Sequence, residues 1–493
     1  MSTVPDLRLH ARNDAPVRPD GEYVLYWMVA YRRLSWNFAL DRAVDRAREL
    51  DRPLVILEGL RAGYRWASDR LHRFALDGMR EHREALEGSP VAYLPYVEPE
   101  PGAGTGLLEA LAERACLVVT DVFPAFFLPH MQDTAAERLD VRLEAVDSCG
   151  LLPLAATEKT YSAAYHFRRH LQKTLGEHLT ELPVARPLAE RPLPGRWDPD
   201  PGLLEEWPMA SEELLAAGEE ALAALPIDHA VPPVEARGGS TAARDRLRTF
   251  LDGKLERYPE ERNDPDADVQ SGLSPWLHWG HVSSHEVFKE VADREEWSPG
   301  RLGSGADGKR HGWWGMSEAA EAFLDELVTW RELGYGYCWL RPDYADYETL
   351  PEWARETLAE HEDDPREHVY SLEEIRDART HDELWNAAQR QLLHEGVIHN
   401  YLRMLWGKKI LEWTASPRDA LEIMVELNNR FGIDGRDPNS WSGIFWCLGR
   451  FDRGWPEREI YGKVRSMTSA STRRKVSVDG YLERWGDQGS LDL

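Results

Sequence analysis

The first 150 residues alternate between short apolar runs and longer segments in which apolar positions recur with helical spacing. The apolar runs are Tyr23–Met28, Pro53–Leu57, Val91–Leu94, Cys116–Thr120 and Val141–Val146, and the helical segments between them lie at 37–50, 68–87, 106–114 and 129–138. Short apolar runs are typical of strands buried on both faces, and the helices between them are typical of crossover connections. The pattern predicts an α/β domain with a Rossmann-like parallel sheet over residues 20–182, preceded by a loose N-terminal arm.

The periodicity changes after residue 182. Residues 183–237 are rich in Pro, Glu and Ala, and we interpret them as an exposed, acidic, Pro-rich connector with a short helix. Beyond them the strand pattern disappears, and helical spacing occurs at 240–257, 281–293, 317–334, 350–360, 382–413, 416–431 and 455–465. These segments predict an all-α domain over residues 238–485. Residues 294–312, which are rich in Gly, are expected to form a loop insertion.

The composition excludes several classes of protein. Asp and Glu outnumber Lys and Arg by 86 to 59, and the net charge of −27 excludes a uniformly basic nucleic-acid-binding surface. The four cysteines form no C-x-x-C pair, so we expect neither a disulfide framework nor a metal site. No signal-peptide pattern occurs, and no apolar run reaches the roughly 18–20 residues that span a bilayer. We expect a monomeric, cytoplasmic protein without a membrane partner.

Tryptophan is the most unusual feature of the second half. Fifteen of the 20 Trp lie in residues 240–493, whereas the first half lacks both a G-x-G-x-x-G and a P-loop motif. Trp406 and Trp413 are seven residues apart and are expected on one helix face, about 10 Å from each other. That spacing is compatible with electron transfer between indoles, although spacing alone is more often typical of a core-packing stripe.

Several longer motifs resemble those of a known family, the class II cyclobutane pyrimidine dimer photolyases. They are DELWNAAQ at 382–389, IHNYLRMLWGKKILEW at 398–413, IDGRDPN at 433–439, FLDELVTWREL at 323–333 and YPEERNDP at 258–265. The resemblance runs in order from about residue 20 to 485 and is strongest in 250–475. It implies an antenna domain followed by a helical FAD-binding domain. It also implies light-driven repair of a flipped-out dimer in UV-damaged DNA by an electron from excited, reduced FAD, which is the activity of a carbon–carbon lyase.

The resemblance also implies a tryptophan triad that reduces the flavin in light. Trp385, Trp406 and Trp413 correspond to its members, and Trp406 is expected nearest to the flavin. This correspondence favours electron transfer over the core-packing interpretation.

The lesion pocket implied by the resemblance contains one carboxylate, two aromatic walls and one arginine. Glu326 corresponds to the carboxylate that hydrogen-bonds the base edges, Trp330 and Trp446 correspond to the walls, and Arg262 corresponds to the arginine. These residue types suit an extruded base, which needs apolar faces for stacking and a polar group for its hydrogen-bonding edge. Glu326 and Trp330 are four residues apart and are expected on one helix face.

A third set of residues corresponds to the flavin site. Arg403 and Asp434 match the ion pair beside the isoalloxazine, where a cation favours the anionic reduced flavin, and Asn428 matches the amide facing flavin N5. The diphosphate segment corresponds to Tyr258 and the turn at 270–275. The remaining predicted cofactor contacts are Gln270, Ser271, Gly272, Leu273, Ser274, Asp437 and Asn439.

One region of the chain carries a net positive charge and is therefore suited to bind DNA. Residues 385–475 carry 15 Lys and Arg against 10 Asp and Glu, so the net charge of −27 divides into +5 for this region and −32 elsewhere. The predicted DNA contacts in this basic region are Arg450, Arg453, Trp455, Arg458, Lys463, Arg465, Arg473 and Arg474.

The motifs are also compatible with two other functions. One is that of a cryptochrome-type photoreceptor without repair activity. The other is repair of (6-4) photoproducts, which requires paired histidines near the lesion, and His399 is a weak candidate for one of them. The sequence contains no motif that decides whether the antenna domain holds a deazaflavin, a folate or no chromophore. Three features depart from the family pattern, namely Asn400 in place of Gly, Phe451 near a usual His, and the insertion at 294–312.

Overall fold

The computed structural model describes residues 3–487. They form two compact units, each composed of separate stretches of the chain. Unit 1 comprises the chain up to Glu158 together with Lys173–Leu247 and Leu273–Leu302. Unit 2 comprises Lys159–Gln172, Arg248–Gly272 and the chain from Gly303 onward.

Unit 1 is built on a twisted, mainly parallel sheet, which has six strands within the described residues. They are β1 Leu9–Ala11, β2 Tyr23–Met28, β3 Leu54–Leu60, β4 Ala92–Val97, β5 Ala115–Asp121 and β6 Leu143–Val146. Their spatial order is β1-β6-β5-β2-β3-β4. All neighbours pair in parallel except β1, which runs antiparallel to β6 with Leu9 opposite Val146. The predicted α/β fold is therefore confirmed.

The helices follow in chain order. They are α1 Phe38–Leu50, α2 Asp69–Leu86, α3 Leu107–Arg114, α4 Leu128–Arg138, α5 Ala164–Thr174, α6 Pro187–Glu190, α7 Pro201–Glu206, α8 Glu212–Leu215, α9 Glu219–Ala223, α10 Ser240–Gly253, α11 Tyr258–Glu261, α12 Ser274–His278, α13 Ser284–Arg294, α14 Glu318–Leu324, α15 Arg331–Leu340, α16 Glu352–Glu360, α17 Leu372–Arg376, α18 Glu383–Glu395, α19 Asn400–Trp413, α20 Pro417–Phe431, α21 Pro438–Cys447, α22 Ser469–Arg473 and α23 Asp479–Trp485. The region from α14 onward contains helices and no strand among the described residues, as predicted.

Local signals explain where the crossover helices begin. The Asn37 side chain accepts the backbone N–H groups of Ala39 and Leu40 at the start of α1, and Ser68 caps α2 in the same manner. The central strands β2 and β5 are buried along their whole length, so both faces of the sheet are covered.

Residues 183–237 belong to unit 1 instead of forming a separate connector, and they are only partly exposed. The short helices α8 and α9 contribute Leu215 and Leu222 to a buried cluster that also contains Leu76 and Met79 of α2. Apolar side chains spaced between prolines thus cover the sheet-flanking helix instead of linking two bodies through solvent.

Two further predictions differ from the structure. Residues 455–465 form no helix; Arg458 and Gly462 instead bridge across a tight turn. The N-terminal arm is also not wholly irregular, because β1 pairs with the sheet. Residues 294–312 do form a loop, with a single 3₁₀ turn at Pro299–Arg301. Within residues 3–487, every helix is too short or too polar to span a bilayer.

Candidate functional site

Glu326 and Trp330 lie on a π-helical segment, Asp325–Trp330, between α14 and α15. Ser317 begins the run, because its side chain accepts the backbone N–H of Ala320. A π-helical turn inside an α-helix is frequent at functional sites. The sequence predicts a regular helix over 317–334, and helical spacing carries no signal for this local widening.

Arg262, just beyond α11, binds Glu326. Its Nη1 donates to Glu326 Oε1 at 3.1 Å and to the carbonyl oxygen of Ala322 at 3.4 Å. Desolvation raises the pKa of Glu326 above its usual range, and the positive charge of Arg262 opposes this shift. The carboxyl side chain is still 32% exposed, so it remains accessible to a hydrogen-bonding ligand.

Tyr258 and Gln270 hold the backbone around Arg262. The buried Tyr258 packs edge-on against Phe323, and the Arg262 guanidinium lies 5.7 Å from the Tyr258 ring. Burial raises the pKa of the Tyr258 hydroxyl. Gln270 Nε2 donates to the Arg262 carbonyl oxygen at 3.3 Å, and Gln270 Oε1 accepts the Asn400 N–H at 3.4 Å. Residues predicted for the cofactor and for the lesion are thus directly connected.

The other residues of the predicted diphosphate turn are divided between the units. Ser271 and Gly272 are the last two residues of the Arg248–Gly272 stretch of unit 2. Gly272 has a φ of +65°, a left-handed conformation that favours glycine. Leu273 and Ser274 belong to unit 1, where Leu273 is buried and Ser274 is the exposed first residue of α12.

Arg403 of α19 and Asp434, in the turn after α20, form a close ion pair. Arg403 Nη2 lies 3.0 Å from Asp434 Oδ1 and 3.1 Å from Oδ2. The Arg403 Nε atom is buried and has no hydrogen-bond partner among the described residues. A buried, unsatisfied guanidinium donor is costly, so this atom is suited to receive an acceptor from a bound group.

Asn428 of α20 lies close by in sequence and is buried. Its Nδ2 donates to Ser440 Oγ at 2.8 Å and to Asn429 Oδ1 at 3.1 Å, and these two bonds fix the orientation of the amide. The neighbouring Asn429 has a buried Nδ2 without a partner in the described range. Polar groups that need a ligand are therefore concentrated where the sequence predicts the flavin.

Asp437 and Asn439, both predicted as cofactor contacts, lie at the start of α21. Asp437 is the N-cap of α21: its Oδ1 accepts the Asn439 N–H at 2.8 Å, and its Oδ2 accepts the Tyr335 hydroxyl at 2.7 Å. Asn439 is exposed on the first turn of α21. Both carboxylate oxygens of Asp437 thus serve the fold, because they begin α21 and join it to α15.

Trp385, Trp406 and Trp413 come together between α18 and α19. All three are buried, and the rings of Trp385 and Trp413 are 5.3 Å apart at 73°. Trp385 Nε1 donates to the carbonyl oxygen of Trp406 at 3.0 Å, and Trp406 Nε1 donates to Gln389 Oε1 at 2.8 Å. Trp385 of α18 thus contacts two residues of α19: the ring of Trp413 and the backbone carbonyl group of Trp406.

Trp446 and Trp455 share one cation. The Arg465 guanidinium lies 4.2 Å from the Trp455 ring and 5.3 Å from the Trp446 ring, and it forms an ion pair with Asp452 at 3.0 Å. The Arg453 guanidinium also lies beside this cluster, 5.5 Å from the Trp455 ring. Both rings are half-buried, so they present aromatic surface next to positive charge.

Arg450 is not placed to contact a phosphate, in contrast to the prediction. It is buried, its Nη2 donates to the carbonyl oxygen of Tyr344 at 3.1 Å and to the Thr349 hydroxyl, and its guanidinium lies 3.6 Å from the Phe445 ring. Its positive charge therefore stabilises the fold. The remaining predicted cations are exposed, namely Arg453, Arg458, Lys463, Arg473 and Arg474, and Arg473 is paired with Glu383 at 3.0 Å.

The sequence analysis missed three residues that contact the site. Gln389 accepts the Trp406 indole N–H. Lys408 is fully buried 4.8 Å from the Trp446 ring, and its Nζ donates to the carbonyl oxygen of Cys447 at 2.7 Å. Arg168 of α5 binds Asp325, the neighbour of Glu326, through both carboxylate oxygens. Gln389 and Lys408 lie inside the family-like motifs, whereas Arg168 is 157 residues away from its partner and gives no local signal.

Comparison with known proteins shows full-length relatives, although no protein-family model matches. The deoxyribodipyrimidine photo-lyase of Methanothermobacter thermautotrophicus is 36% identical over 479 residues, covering 96% of this chain and 97% of that protein. The enzyme of the same name from Arabidopsis thaliana is 33% identical over 466 residues (93% and 88%), and that from Potorous tridactylus is 32% identical over 482 residues (94% and 81%).

Two solved structures share the fold. A bacterial class III photolyase from Agrobacterium tumefaciens matches with a TM-score of 0.66 at 18% identity, over 94% of this chain and 86% of that chain. A cryptochrome from Synechocystis sp. PCC6803 matches with a TM-score of 0.64 at 16% identity, over 94% and 88%.

Proposed function

This chain belongs to the deoxyribodipyrimidine photo-lyase family, and from that premise we propose how its residues perform the reaction. The protein is a lyase that repairs cyclobutane pyrimidine dimers in DNA with light, and FAD is its cofactor. The geometry that best supports this function is the Arg262–Glu326 pair, held at 3.1 Å on a π-helical segment that also carries Trp330. We further propose that the protein is a class II enzyme, acts as a monomer and works in the cytoplasm.

The residues predicted to bind the flavin fit such a group. The unsatisfied Arg403 Nε and the Arg403–Asp434 pair provide an oriented cation, which favours an anionic ring, and we propose that the working cofactor is therefore reduced FAD. When bound, the reduced flavin would supply, on illumination, the electron that opens the cyclobutane ring, and the electron would return to the flavin after the ring has split. The fixed amide of Asn428 and the segment from Tyr258 to Ser274 are the other proposed contacts.

Glu326 recognises the flipped dimer. Because desolvation raises its pKa, the carboxyl group keeps its proton to a higher pH than an ordinary glutamate, and in the protonated form it donates a hydrogen bond to a carbonyl oxygen of the base. Negative charge develops on that oxygen when the dimer accepts an electron, so the bond strengthens as the reaction proceeds. Trp330 and Trp446 provide the stacking faces, and Arg262 orients the carboxyl group.

Trp406, Trp385 and Trp413 carry electrons to the cofactor site. Their contiguous contacts and complete burial support a path in which the hole moves from Trp406 through Trp385 to Trp413. We propose that this path serves photoreduction and takes no part in dimer splitting.

The DNA-binding surface comprises the cluster of Trp446, Trp455 and Arg465 with the exposed cations around it. Aromatic stacking next to phosphate-binding charge is the common arrangement for unpaired nucleic acid. The α/β unit is the proposed location of an antenna chromophore, a deazaflavin or a folate.

The decisive experiment uses purified, chemically reduced protein and a duplex oligonucleotide with one thymine dimer. We expect illumination to restore intact thymines, detected by chromatography, and we expect no change in the dark or with a (6-4) photoproduct. Normal flavin photoreduction without repair would refute this proposal in favour of a photoreceptor.

A further inference from the structure

Residues 303–316, here called the 303–316 loop, form an ordered structure in unit 2. The N–H of Gly303 donates to the carbonyl oxygen of Trp313 at 2.7 Å, which closes the loop. The buried Glu321 of α14 accepts the N–H groups of Gly315 at 2.9 Å and of Met316 at 3.3 Å, and also that of Gly312. These bonds give the loop a defined conformation despite its glycines.

Helix α5 binds the other side of the loop. Gln172 Oε1 accepts the Gly308 N–H at 2.7 Å, and Arg168 Nη1 donates to the Gly308 carbonyl oxygen at 3.1 Å. Gly308 has a φ of +79°, and a Cβ atom there would lie 2.7 Å from Arg169 Cγ. The loop is thus closely packed against α5, and only glycine satisfies this position.

The loop exposes positive charge beside the proposed lesion pocket. Lys309 is 77% exposed and is paired with Asp307, whereas Arg310 is 54% exposed with its Nε 3.9 Å from Asp325 Oδ2. Asp325 directly precedes Glu326 and is already bound by Arg168 at 2.8 and 3.0 Å. Arg310 is therefore a second cation beside Asp325, whose two carboxylate oxygens already accept hydrogen bonds from Arg168.

The ion pairs of Asp325 and Glu326 therefore contain more cations than carboxyl groups. Three guanidinium groups, those of Arg168, Arg262 and Arg310, surround two carboxyl groups, those of Asp325 and Glu326. Of the three, Arg310 has the most exposed side chain, and an exposed guanidinium on an anchored loop suits an anion that approaches from solvent.

We infer that the 303–316 loop is a DNA-backbone-binding element of the lesion site, in which Arg310 contacts a phosphate next to the flipped dimer and Arg168 holds the loop in place. This inference rests on the proposed function, since that function places a dimer at Glu326. A backbone phosphate contact adds affinity without reading sequence. It also gives a role to an insertion that the family resemblance does not account for.

The test is a salt titration of DNA binding in the dark, by fluorescence anisotropy, with FAD-loaded protein. Arg310→Ala is expected to weaken binding of the dimer-containing duplex and to reduce the slope of its log affinity against log salt by about 0.9. Arg418→Ala is the matched control, because Arg418 is 59% exposed and is also paired with a carboxylate, that of Glu348. We expect the control to keep the wild-type slope.

A second variant tests the anchor. Arg168→Lys keeps the charge but cannot reproduce the two-oxygen contact with Asp325 together with the bond to Gly308, so it is expected to lower the slope although Arg310 is still present. An unchanged slope for the dimer duplex in Arg310→Ala overturns the inference, as does a loss of affinity for that duplex without a change of slope, which indicates that Arg310 only neutralises Asp325. A wild-type protein that does not prefer the dimer duplex overturns the proposed function instead, and the slopes remain separately readable.

Discussion

Two groups of tryptophan in unit 2 differ in the charges around their rings. Trp385 and Trp406 are buried, and their N–H groups donate to neutral oxygens of the Trp406 backbone and of Gln389. Trp446 and Trp455 are half-buried, and the charged groups of Lys408 and Arg465 lie 4.8 Å and 4.2 Å from their rings.

This difference separates two tasks of aromatic side chains. Removal of an electron leaves an indole positively charged, and a cation a few ångströms away disfavours that state. Trp413 has Lys409 at 5.4 Å, but Glu412 is paired with this lysine at 2.9 Å and offsets its charge. The buried group is therefore suited to electron transfer, and the cation-covered group is suited to stacking against bases.

The largest predicted effect separates photoreduction from repair. Trp406→Phe is expected to abolish light-driven flavin reduction, because the path through Trp385 and Trp413 loses its first member, while chemically reduced protein still repairs dimers. Absorbance of the flavin under illumination measures the first, and repair of a dimer oligonucleotide measures the second. Trp353→Phe, outside the path, is the control and keeps both; unchanged photoreduction in Trp406→Phe contradicts the assignment.

The second-largest effect concerns the other group of tryptophans, for which DNA binding is expected to change and photoreduction is not. Trp446→Ala is expected to weaken binding of the dimer duplex roughly 5- to 150-fold, which corresponds to about 1–3 kcal/mol per stacked base, and to leave photoreduction unchanged. Dark anisotropy titrations compare dimer and undamaged duplexes, and the loss is expected only for the dimer. An equal loss for both duplexes assigns Trp446 to general DNA binding instead.

Local patterns predicted the elements of the fold better than their packing. The helix predicted at 37–50 begins at Phe38, after the Asn37 cap, and the strand at 23–28 has the predicted bounds, because capping and apolar runs are local signals. The prolines between 183 and 237 suggested an exposed segment, yet Leu215 and Leu222 are buried against α2. The local pattern could not predict this contact, because α2 is more than 100 residues away in the sequence. Sequence spacing does not report such contacts.

The candidate site shows the same limit. The family-like motifs correctly paired Arg403 with Asp434, whereas the charge distribution placed Arg450 on the DNA surface, although its guanidinium is buried against Phe445. The sequence does not distinguish an arginine that donates to carbonyl oxygens in the interior from one that binds phosphate. The charge of Arg168 likewise became informative only when the fold brought it to Asp325.

A smaller effect concerns stability and tests whether Trp446 lies next to a charged lysine. Burial lowers the pKa of Lys408 to about 8 from an ordinary value near 10.5. Between these pH values the unfolded chain holds more protons, so the wild-type free energy of unfolding should rise with pH relative to Lys408→Met, by up to about 3 kcal/mol. Denaturant titrations of both proteins from pH 7.5 to about 10.5 measure the difference. A difference that stays constant with pH excludes a buried, titrating Lys408.

The smallest effect is a change in how repair depends on pH, and it concerns Glu326 and the charged groups around it. The raised pKa of Glu326 means that its carboxyl group is protonated up to a higher pH than usual, so repair by reduced wild-type protein should fall as the pH rises through that value. Arg262, Asp325, Arg310, Arg168 and Tyr258 all act on this group electrostatically. Glu326→Gln donates an amide N–H at every pH, so its repair should be modestly slower at low pH and should not fall as the pH rises. Repair yield per absorbed photon across the pH range distinguishes the two proteins, with photoreduction, which depends on the uncharged tryptophan path, as the internal control. If the glutamine variant shows the same decline as wild type, another group is responsible, and the proton on Glu326 has no role in repair.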